Sequence, residues 1–227
     1  MRSFDVSALL HPLTEVYPSV GVLLEAAKAG DRDVRDAISR LWLSEGIPFA
    51  FKARPGIYEA LRTWLARNLN IHAKEITLIG SGRLGFSLSP DQNIGRQFGP
   101  QSDLDMTVIS PSLFQRLRDA FSRWEQDYTQ GTVHPRHERE RMWWDENLSY
   151  CPRNLERGFI DPHKIPILSR YPEAQTVANV LWRVHEKLKS TPEAPNVRKV
   201  SLRVYRDWDS FVRQMAKNLE SIGRMPR

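Results

Sequence analysis

Apolar residues recur every three or four positions in the first third of the chain, which is the spacing of amphipathic helices. The segment "DRDVRDAISRLWLSEG" has this spacing, with Asp31 or Asp33 as the N-cap and Gly46 as the stop signal. In "RPGIYEALRTWLARNLN" the same spacing predicts a second helix with one apolar side, formed by Ile57, Leu61, Trp64, Leu65 and Leu69. The chain therefore opens with helices rather than with a strand.

Three later stretches alternate apolar and polar residues, as half-buried strands do. They are 75–79, 103–109 and the segment "RKVSLRVY". In the second of them Leu104 and Met106 point to one side, toward a core, and Asp103 and Asp105 point to the other. These stretches predict a small sheet.

Helices are also predicted in the second half of the chain. They are "SPSLFQRLRDAFSRWEQDY", capped by Ser110 or Ser112 with Pro111 in its first turn, the stretches around 134–147 and 173–189, and "DWDSFVRQMAKNLESI". Loops are predicted for 80–101, for "YCPRNLERGFIDPHKIPILSRYP" and for the Pro-rich linker 190–196.

This order of elements predicts an α/β (α+β) fold: a short mixed sheet flanked by helices, with additional helices at both ends. We expect one domain over 1–227, made of an N-terminal helical extension (1–53) and a core with helical additions (54–227).

Net charge, cysteine content and the absence of long apolar runs limit the ligands and the location that the sequence predicts. Thirty-three Lys and Arg against 27 Asp and Glu give a net charge of +6, which favours polyanionic ligands. The one cysteine, Cys151, excludes an internal disulfide and disfavours a cysteine-based metal site. The first residues lack the apolar core of a signal peptide, and no apolar run reaches the roughly 18 residues of a membrane helix. We expect a cytoplasmic protein without a membrane partner.

Two phosphate-site signatures compete for the middle of the chain. The hexapeptide "GSGRLG" at 80–85 fits the G-x-G-x-x-G dinucleotide fingerprint. A dinucleotide site also needs a helix that begins within the motif and a βαβ unit around it. The prolines and glycines of the next segment, "FSLSPDQNIGRQFGP", would break that helix. We therefore disfavour a redox enzyme that binds NAD or FAD.

The second signature is the acid pair. Asp103 and Asp105 lie two positions apart on a predicted strand, so their carboxylates share one face. Magnesium, or manganese in its place, stabilises such a pair because it prefers oxygen ligands and bridges carboxylates to substrate phosphates. Upstream, Gly80 and Ser81 end a strand where amides and a hydroxyl can bind phosphate, and Arg83 adds charge. Together these residues predict a phosphoryl-transfer site.

The segment from Leu78 to Ser110 resembles the signature of a known protein superfamily. "LIGSGRLGFS…QSDLDMTVIS" resembles the signature of the DNA polymerase beta superfamily of nucleotidyltransferases, in which a strand ending in Gly-Ser precedes an acid-x-acid pair on the next strand. The longer "IGSGRLGFSLSP…GRQFGPQSDLDMTVIS…LF" resembles a group of bacterial proteins that carry this domain. The resemblance implies a nucleotidyltransferase fold, nucleotide-phosphate contacts at Gly80 and Ser81, and catalytic magnesium at Asp103 and Asp105.

Two features depart from that pattern. The segment 82–102, between Gly-Ser and the acid pair, is longer than usual and forms an insertion. Active members also place a third carboxylate on a later strand, as metal ligand and base. The best strand for it is "RKVSLRVY", whose central inward position is Ser201. Asp161, Asp207 and Asp209 are the alternatives, and the sequence does not choose among them.

We therefore expect a magnesium-dependent nucleotidyltransferase. It would move a nucleotidyl group from a nucleoside triphosphate to a hydroxyl of a protein, an RNA or a small molecule. The alternative is a catalytically degenerate module of the same fold that binds nucleotide, RNA or a protein partner. The two hypotheses differ in whether a third carboxylate lies within metal reach of Asp103 and Asp105.

Overall fold

In the computed structural model, which describes residues 4–89 and 94–224, eight α-helices surround a four-stranded mixed sheet. The helices are α1 (Val20–Ala29), α2 (Arg32–Leu41), α3 (Pro55–Leu69), α4 (Gly80–Leu84), α5 (Pro111–Thr129), α6 (Glu138–Glu156), α7 (Pro172–Ser190) and α8 (Trp208–Gly223). The strands are β1 (Ile76–Ile79), β2 (Asp103–Ile109), β3 (Phe159–Ile160) and β4 (Lys199–Tyr205). The predicted mixed α+β class with a short sheet and helices at both ends is confirmed, as are the three predicted strands.

The sheet has the order β1-β2-β4-β3. The central strands β2 and β4 run parallel, while β1 is antiparallel to β2 and β3 is antiparallel to β4. Because β2 and β4 are both central, the residues in the middle of the sheet come from these two strands.

The two faces of the sheet differ because its strands alternate. One face is apolar and packs against α3, α5 and α7 in a first core; its strand residues include Leu78, Leu104, Met106, Leu202 and Val204. On the other face a second core joins α1 and α2 to α8, around Leu23, Ile38, Phe211 and Leu219. Between the strands and this second core lies the polar centre of the sheet.

Helices α2 and α5 both begin after a residue that the sequence offered as N-cap, and in α2 that side chain makes the capping hydrogen bond. The carboxylate of Asp31 accepts a hydrogen bond of 3.0 Å from the amide of Val34 and caps α2. Ser110 occupies the N-cap position of α5, but its side chain does not cap the helix; its hydroxyl lies 3.2 Å from that of Ser112.

Some predicted loops were wrong. Helix α6 continues to Glu156 with Pro152 inside it, although an internal proline normally breaks a helix. The packing of Trp144 and Cys151 into the first core outweighs that cost. Helix α1, strand β3 and the short helix α4 were also not predicted. Residues 90–93 of the predicted insertion lie outside the described residues.

The dinucleotide interpretation does not fit this architecture. Helix α4 has five residues and ends at Gly85, where φ is +92°. The strand before it, β1, is antiparallel to the strand after it, so the glycine motif is not part of a βαβ unit. Among the described residues, no helix combines the length and the hydrophobicity that crossing a bilayer requires.

Candidate functional site

A cavity of about 570 Å³ opens on the polar face of the sheet, and we call it the sheet cavity. Its lining brings together four of the five residues predicted for the site: Gly80, Ser81, Asp103 and Asp105. The other lining residues that matter below are Thr107 on β2, Lys199, Ser201 and Arg203 on β4, and Asp161 and His163 after β3. Ser81 and Asp103, which lie 22 positions apart in sequence, thus line the same cavity.

The turn from β1 into α4 lies directly against the acid pair. Ile79 pairs with Asp105 in the antiparallel register, and Gly80 follows with φ at +66°. A Cβ atom on Gly80 would lie 3.0 Å from Oδ2 of Asp105. Glycine is therefore required twice, for its left-handed backbone and for the space that the carboxylate takes.

Asp103 is held by cations. Its Oδ1 and Oδ2 accept hydrogen bonds of 2.9 Å each from Nε and Nη2 of Arg198, and Nζ of Lys199 lies 3.5 Å from Oδ2. Burial works to raise the pKa of Asp103, but the bonds and charges of Arg198 and Lys199 outweigh it and hold that pKa below its usual value. Asp103 is thus a stable anion.

Asp105 is in the opposite situation. Burial raises the pKa of its carboxyl, and the charge of Asp103 adds to that rise, while a 2.7 Å hydrogen bond from the Ser201 hydroxyl opposes it. Among the described residues no arginine or lysine donates a hydrogen bond to Asp105. The charges of Lys199 and Arg203 lower its pKa but do not cancel the effect of burial, so the charge of Asp105 is compensated only in part. A cation placed between the two carboxylates would relieve both the burial and the repulsion.

The position expected for a third carboxylate is occupied by Ser201, which pairs with Asp105 across the parallel strands. Asp161 lines the cavity, but Nε and Nη2 of Arg203 donate to its two oxygens at 2.7 and 2.8 Å. Asp207 caps α8 and Asp209 follows in its first turn; neither lines the sheet cavity. Within 4–89 and 94–224, no group of three or more His, Cys, Asp or Glu side chains is arranged to hold a metal.

Arg83 is the predicted site residue that does not line the cavity. Its side chain is buried, its Nη1 donates to the carbonyl of Ile47 at 3.1 Å, and its guanidinium lies over the ring of Tyr17. Burial lowers the pKa of Arg83. The structure gives this arginine a packing role under the segment that precedes α3.

Sequence reasoning missed polar residues that share the cavity. Thr107 follows Asp103 and Asp105 on the same face of β2 and is fully buried, and its Oγ1 atom has no hydrogen-bond partner among the described residues. The same alternation that singled out the acids would have found it. His163, whose pKa is lowered by burial, follows a strand of two residues that has no sequence signature of its own.

The carboxylates of Asp103 and Asp105 provide oxygen ligands of the kind that magnesium prefers. Mg²⁺ commonly binds one or two carboxylates of the protein and takes its other ligands from water and substrate phosphates. Asp103 and Asp105 can supply the two carboxylates. Arg198 is 55% exposed, so its ion pair with Asp103 is weak and can open at small cost. The third carboxylate that lines the cavity, Asp161, is held in an ion pair with Arg203.

Comparisons of the chain with protein-family models, curated proteins and solved structures gave no match.

Proposed function

We propose that the protein is a magnesium-dependent nucleotidyltransferase that transfers a nucleotidyl group from a nucleoside triphosphate to a hydroxyl acceptor. The observation that carries the proposal is the contact between the Gly80 turn and Asp105 within a cavity that also holds Asp103. A phosphate-binding turn beside two carboxylates is the arrangement that metal-assisted phosphoryl transfer requires.

Each residue has a defined part in this reaction. The backbone at Gly80 and the hydroxyl of Ser81 contact triphosphate oxygens, and Lys199 and Arg203 add positive charge in the same cavity. Magnesium, bound by Asp103 and Asp105, would neutralise charge that develops on the transferred phosphate. The acceptor hydroxyl would attack the α-phosphorus and lose its proton to solvent, the bond between the α-phosphorus and the oxygen bridging to the β-phosphate would break, and pyrophosphate would leave with that oxygen.

A second candidate is a nucleotide-binding module that does not catalyse transfer. It is favoured by Ser201, which stands opposite Asp105 where a third carboxylate would act as base, and by the pairing of Asp161 with Arg203. Such a module would bind the same magnesium–nucleotide complex and release no pyrophosphate.

Calorimetric titration of the four nucleoside triphosphates, with and without Mg²⁺, tests the site. We expect binding that requires Mg²⁺ in the wild type and is lost in the double variant Asp103→Asn/Asp105→Asn. Asp209→Asn is the matched control, because it removes a carboxylate outside the sheet cavity. Wild-type binding that the double variant retains would contradict the site.

Pyrophosphate release then separates the two candidates. The protein is incubated with nucleoside triphosphate and Mg²⁺ together with protein, RNA and small hydroxyl acceptors. Release that the double variant loses supports the transferase, and magnesium-dependent binding without release supports the module. The variant Ser201→Asp adds a carboxylate opposite Asp105, and we expect it to bind Mn²⁺ more tightly than the wild type in spin-resonance titrations.

A further inference from the structure

One wall of the sheet cavity is largely apolar; its side chains lie mostly within the second core, and only a small part of each faces the cavity. Helix α8 contributes Met215, Leu219 and Ile222 to the lining, and Leu84 and Leu88 contribute from the segment after the Gly80 turn. Apolar side chains give no favourable contact to a polyanion, because they can neither donate hydrogen bonds nor balance charge. A ligand that uses the whole cavity therefore has an apolar part.

The size of the cavity supports the same conclusion. A volume of about 570 Å³ lies within the range of roughly 300–1,000 Å³ that is usual for pockets enclosing a complete small molecule. The charged residues of its lining lie on the sheet and just after β3, whereas α8 and the segment after β1 contribute apolar and uncharged polar residues. This division matches a molecule with a phosphate chain at one end and a flat, weakly polar ring at the other.

Two polar side chains of α8, Asn218 and Ser221, interrupt the apolar wall, and Asn218 is the one that carries an amide. Asn218 lies on α8 between Met215 and Ile222 and lines the cavity. Its Oδ1 accepts a hydrogen bond of 2.9 Å from Nε2 of Gln214. Its amide nitrogen is a donor, and a donor at this position can contact a carbonyl oxygen or an unprotonated ring nitrogen of a heterocycle.

We propose that the nucleobase of the bound nucleotide packs against the α8 wall, formed by Met215, Leu219 and Ile222, and that Asn218 is the residue that discriminates between bases. The proposal rests on the proposed function, since it assumes that the phosphates lie at the Gly80 turn and the acid pair. It assigns to α8 a part in specificity that the acid pair cannot have, because all four nucleoside triphosphates carry the same phosphates.

The test compares nucleoside triphosphates with inorganic tripolyphosphate, which lacks the base and the sugar, on the full chain in the presence of Mg²⁺. We expect the wild type to bind at least one nucleoside triphosphate about tenfold or more tightly than tripolyphosphate. Ile222→Phe, which fills the wall, should remove that preference and leave tripolyphosphate binding unchanged. Ile167→Phe is the matched control, because Ile167 is exposed and lies outside the sheet cavity.

Asn218→Asp provides a second variant, at an exposed position of α8. It replaces a donor by an acceptor, and its added charge affects the four triphosphates alike, so a change in their order of affinity reports base contact. We expect that order to change, and an unchanged order would overturn the role of Asn218.

The remaining outcomes separate this proposal from the proposed function. Equal wild-type affinity for tripolyphosphate and all four nucleoside triphosphates would overturn the base subsite and leave the metal–phosphate site standing. A preference for nucleoside triphosphate that Ile222→Phe retains would place the base elsewhere. No binding of either compound would overturn the proposed function and the base subsite with it.

Discussion

At the scale of single residues, Asp105 is where folding and the proposed chemistry conflict. Its carboxyl is half-buried, lies beside another carboxylate and receives a neutral hydrogen bond from Ser201. A charge in these surroundings destabilises the folded chain unless a cation compensates it. Such a residue is expected at a site selected for binding rather than for stability.

Asp105→Asn is therefore expected to stabilise the metal-free protein near neutral pH and to abolish magnesium–nucleotide binding. Because the pKa of Asp105 is raised in the folded state, the stability that its protonation contributes is present at low pH and is lost as pH rises through the folded pKa. The melting temperature of the variant should exceed that of the wild type by a few degrees at pH 7 in EDTA, and the two should converge on acidification. A difference independent of pH would show that ionisation is not the cause.

The pKa of Asp207 is shifted in the opposite direction from that of Asp105. Its carboxylate accepts hydrogen bonds from the amide of Ser210 and from Nε of Arg206, at 2.7 and 2.8 Å, and the balance of burial against these bonds lowers its pKa to about 2. The side chain is 42% exposed, so solvent screens the ion pair and the helix cap dominates.

Asp207→Ala should cost about 1 kcal/mol of unfolding free energy near neutral pH. The cost should disappear as pH falls from about 4 toward 2, because the carboxylate of wild-type Asp207 becomes protonated over this range and its stabilising charge is lost. Urea unfolding across this range measures it, and Asp207→Asn, which keeps a capping oxygen, should lose less. Nucleotide affinity should not change, because Asp207 lies outside the sheet cavity.

These residues show how far sequence reasoning reaches. Alternation along β2 was enough to place Asp103 and Asp105 on one face and to single out Ser201 on β4, because period two is a local property. Arg83 could not be placed in the same way. Its neighbours Tyr17 and Ile47 come from distant segments, and only tertiary packing determines whether a charged residue beside a motif faces the ligand or the interior.

At the scale of elements, the turn between β1 and α4 positions the site. It brings the Gly80 backbone against Asp105, and Gly82 follows where a Cβ would lie 2.9 Å from the side chain of Leu78. The sequence predicted the strand before this turn and the strand after it. It did not predict α4, because five residues are too few for a helical period, nor β3, because two residues are too few for alternation.

Gly80→Ala tests the turn. The added methyl group meets Asp105 and forces a non-glycine residue into the left-handed region, so we expect a loss of about 1–3 kcal/mol of unfolding free energy, together with weakened nucleotide binding. Gly21→Ala is the control, since its Cβ would enter open space on α1 and should stabilise the protein by about 0.5–1 kcal/mol. Urea unfolding of both variants measures the difference, and a Gly80→Ala protein as stable as Gly21→Ala would contradict the assigned role.

At the scale of the whole molecule, the sheet joins two cores. The first contains Trp124 and Trp144 and packs on the apolar face, whereas the second contains Leu23 and Ile38 of the N-terminal helices and packs them on α8. The segment 1–53 was predicted as an N-terminal helical extension of a single domain whose core is 54–227. In the structure its helices cover α8, and α8 in turn supplies a wall of the sheet cavity.

If the sheet couples the two cores, damage to one core is felt in the other. Leu23→Ala removes a fully buried side chain from the second core and should destabilise the protein by about 2–5 kcal/mol. In a background where Trp42 and Trp208, which lie beside the second core, are replaced by Phe, tryptophan fluorescence reports mainly on the first core through Trp124 and Trp144. It should then show the same lowered unfolding midpoint as far-ultraviolet circular dichroism. The matched variant Leu65→Ala, at an equally buried position in the first core, should give the same coincidence of probes. Two separate transitions in the Leu23→Ala protein would mean that the N-terminal helices and α8 unfold independently of the sheet, and the cavity wall could then open without loss of the acid pair.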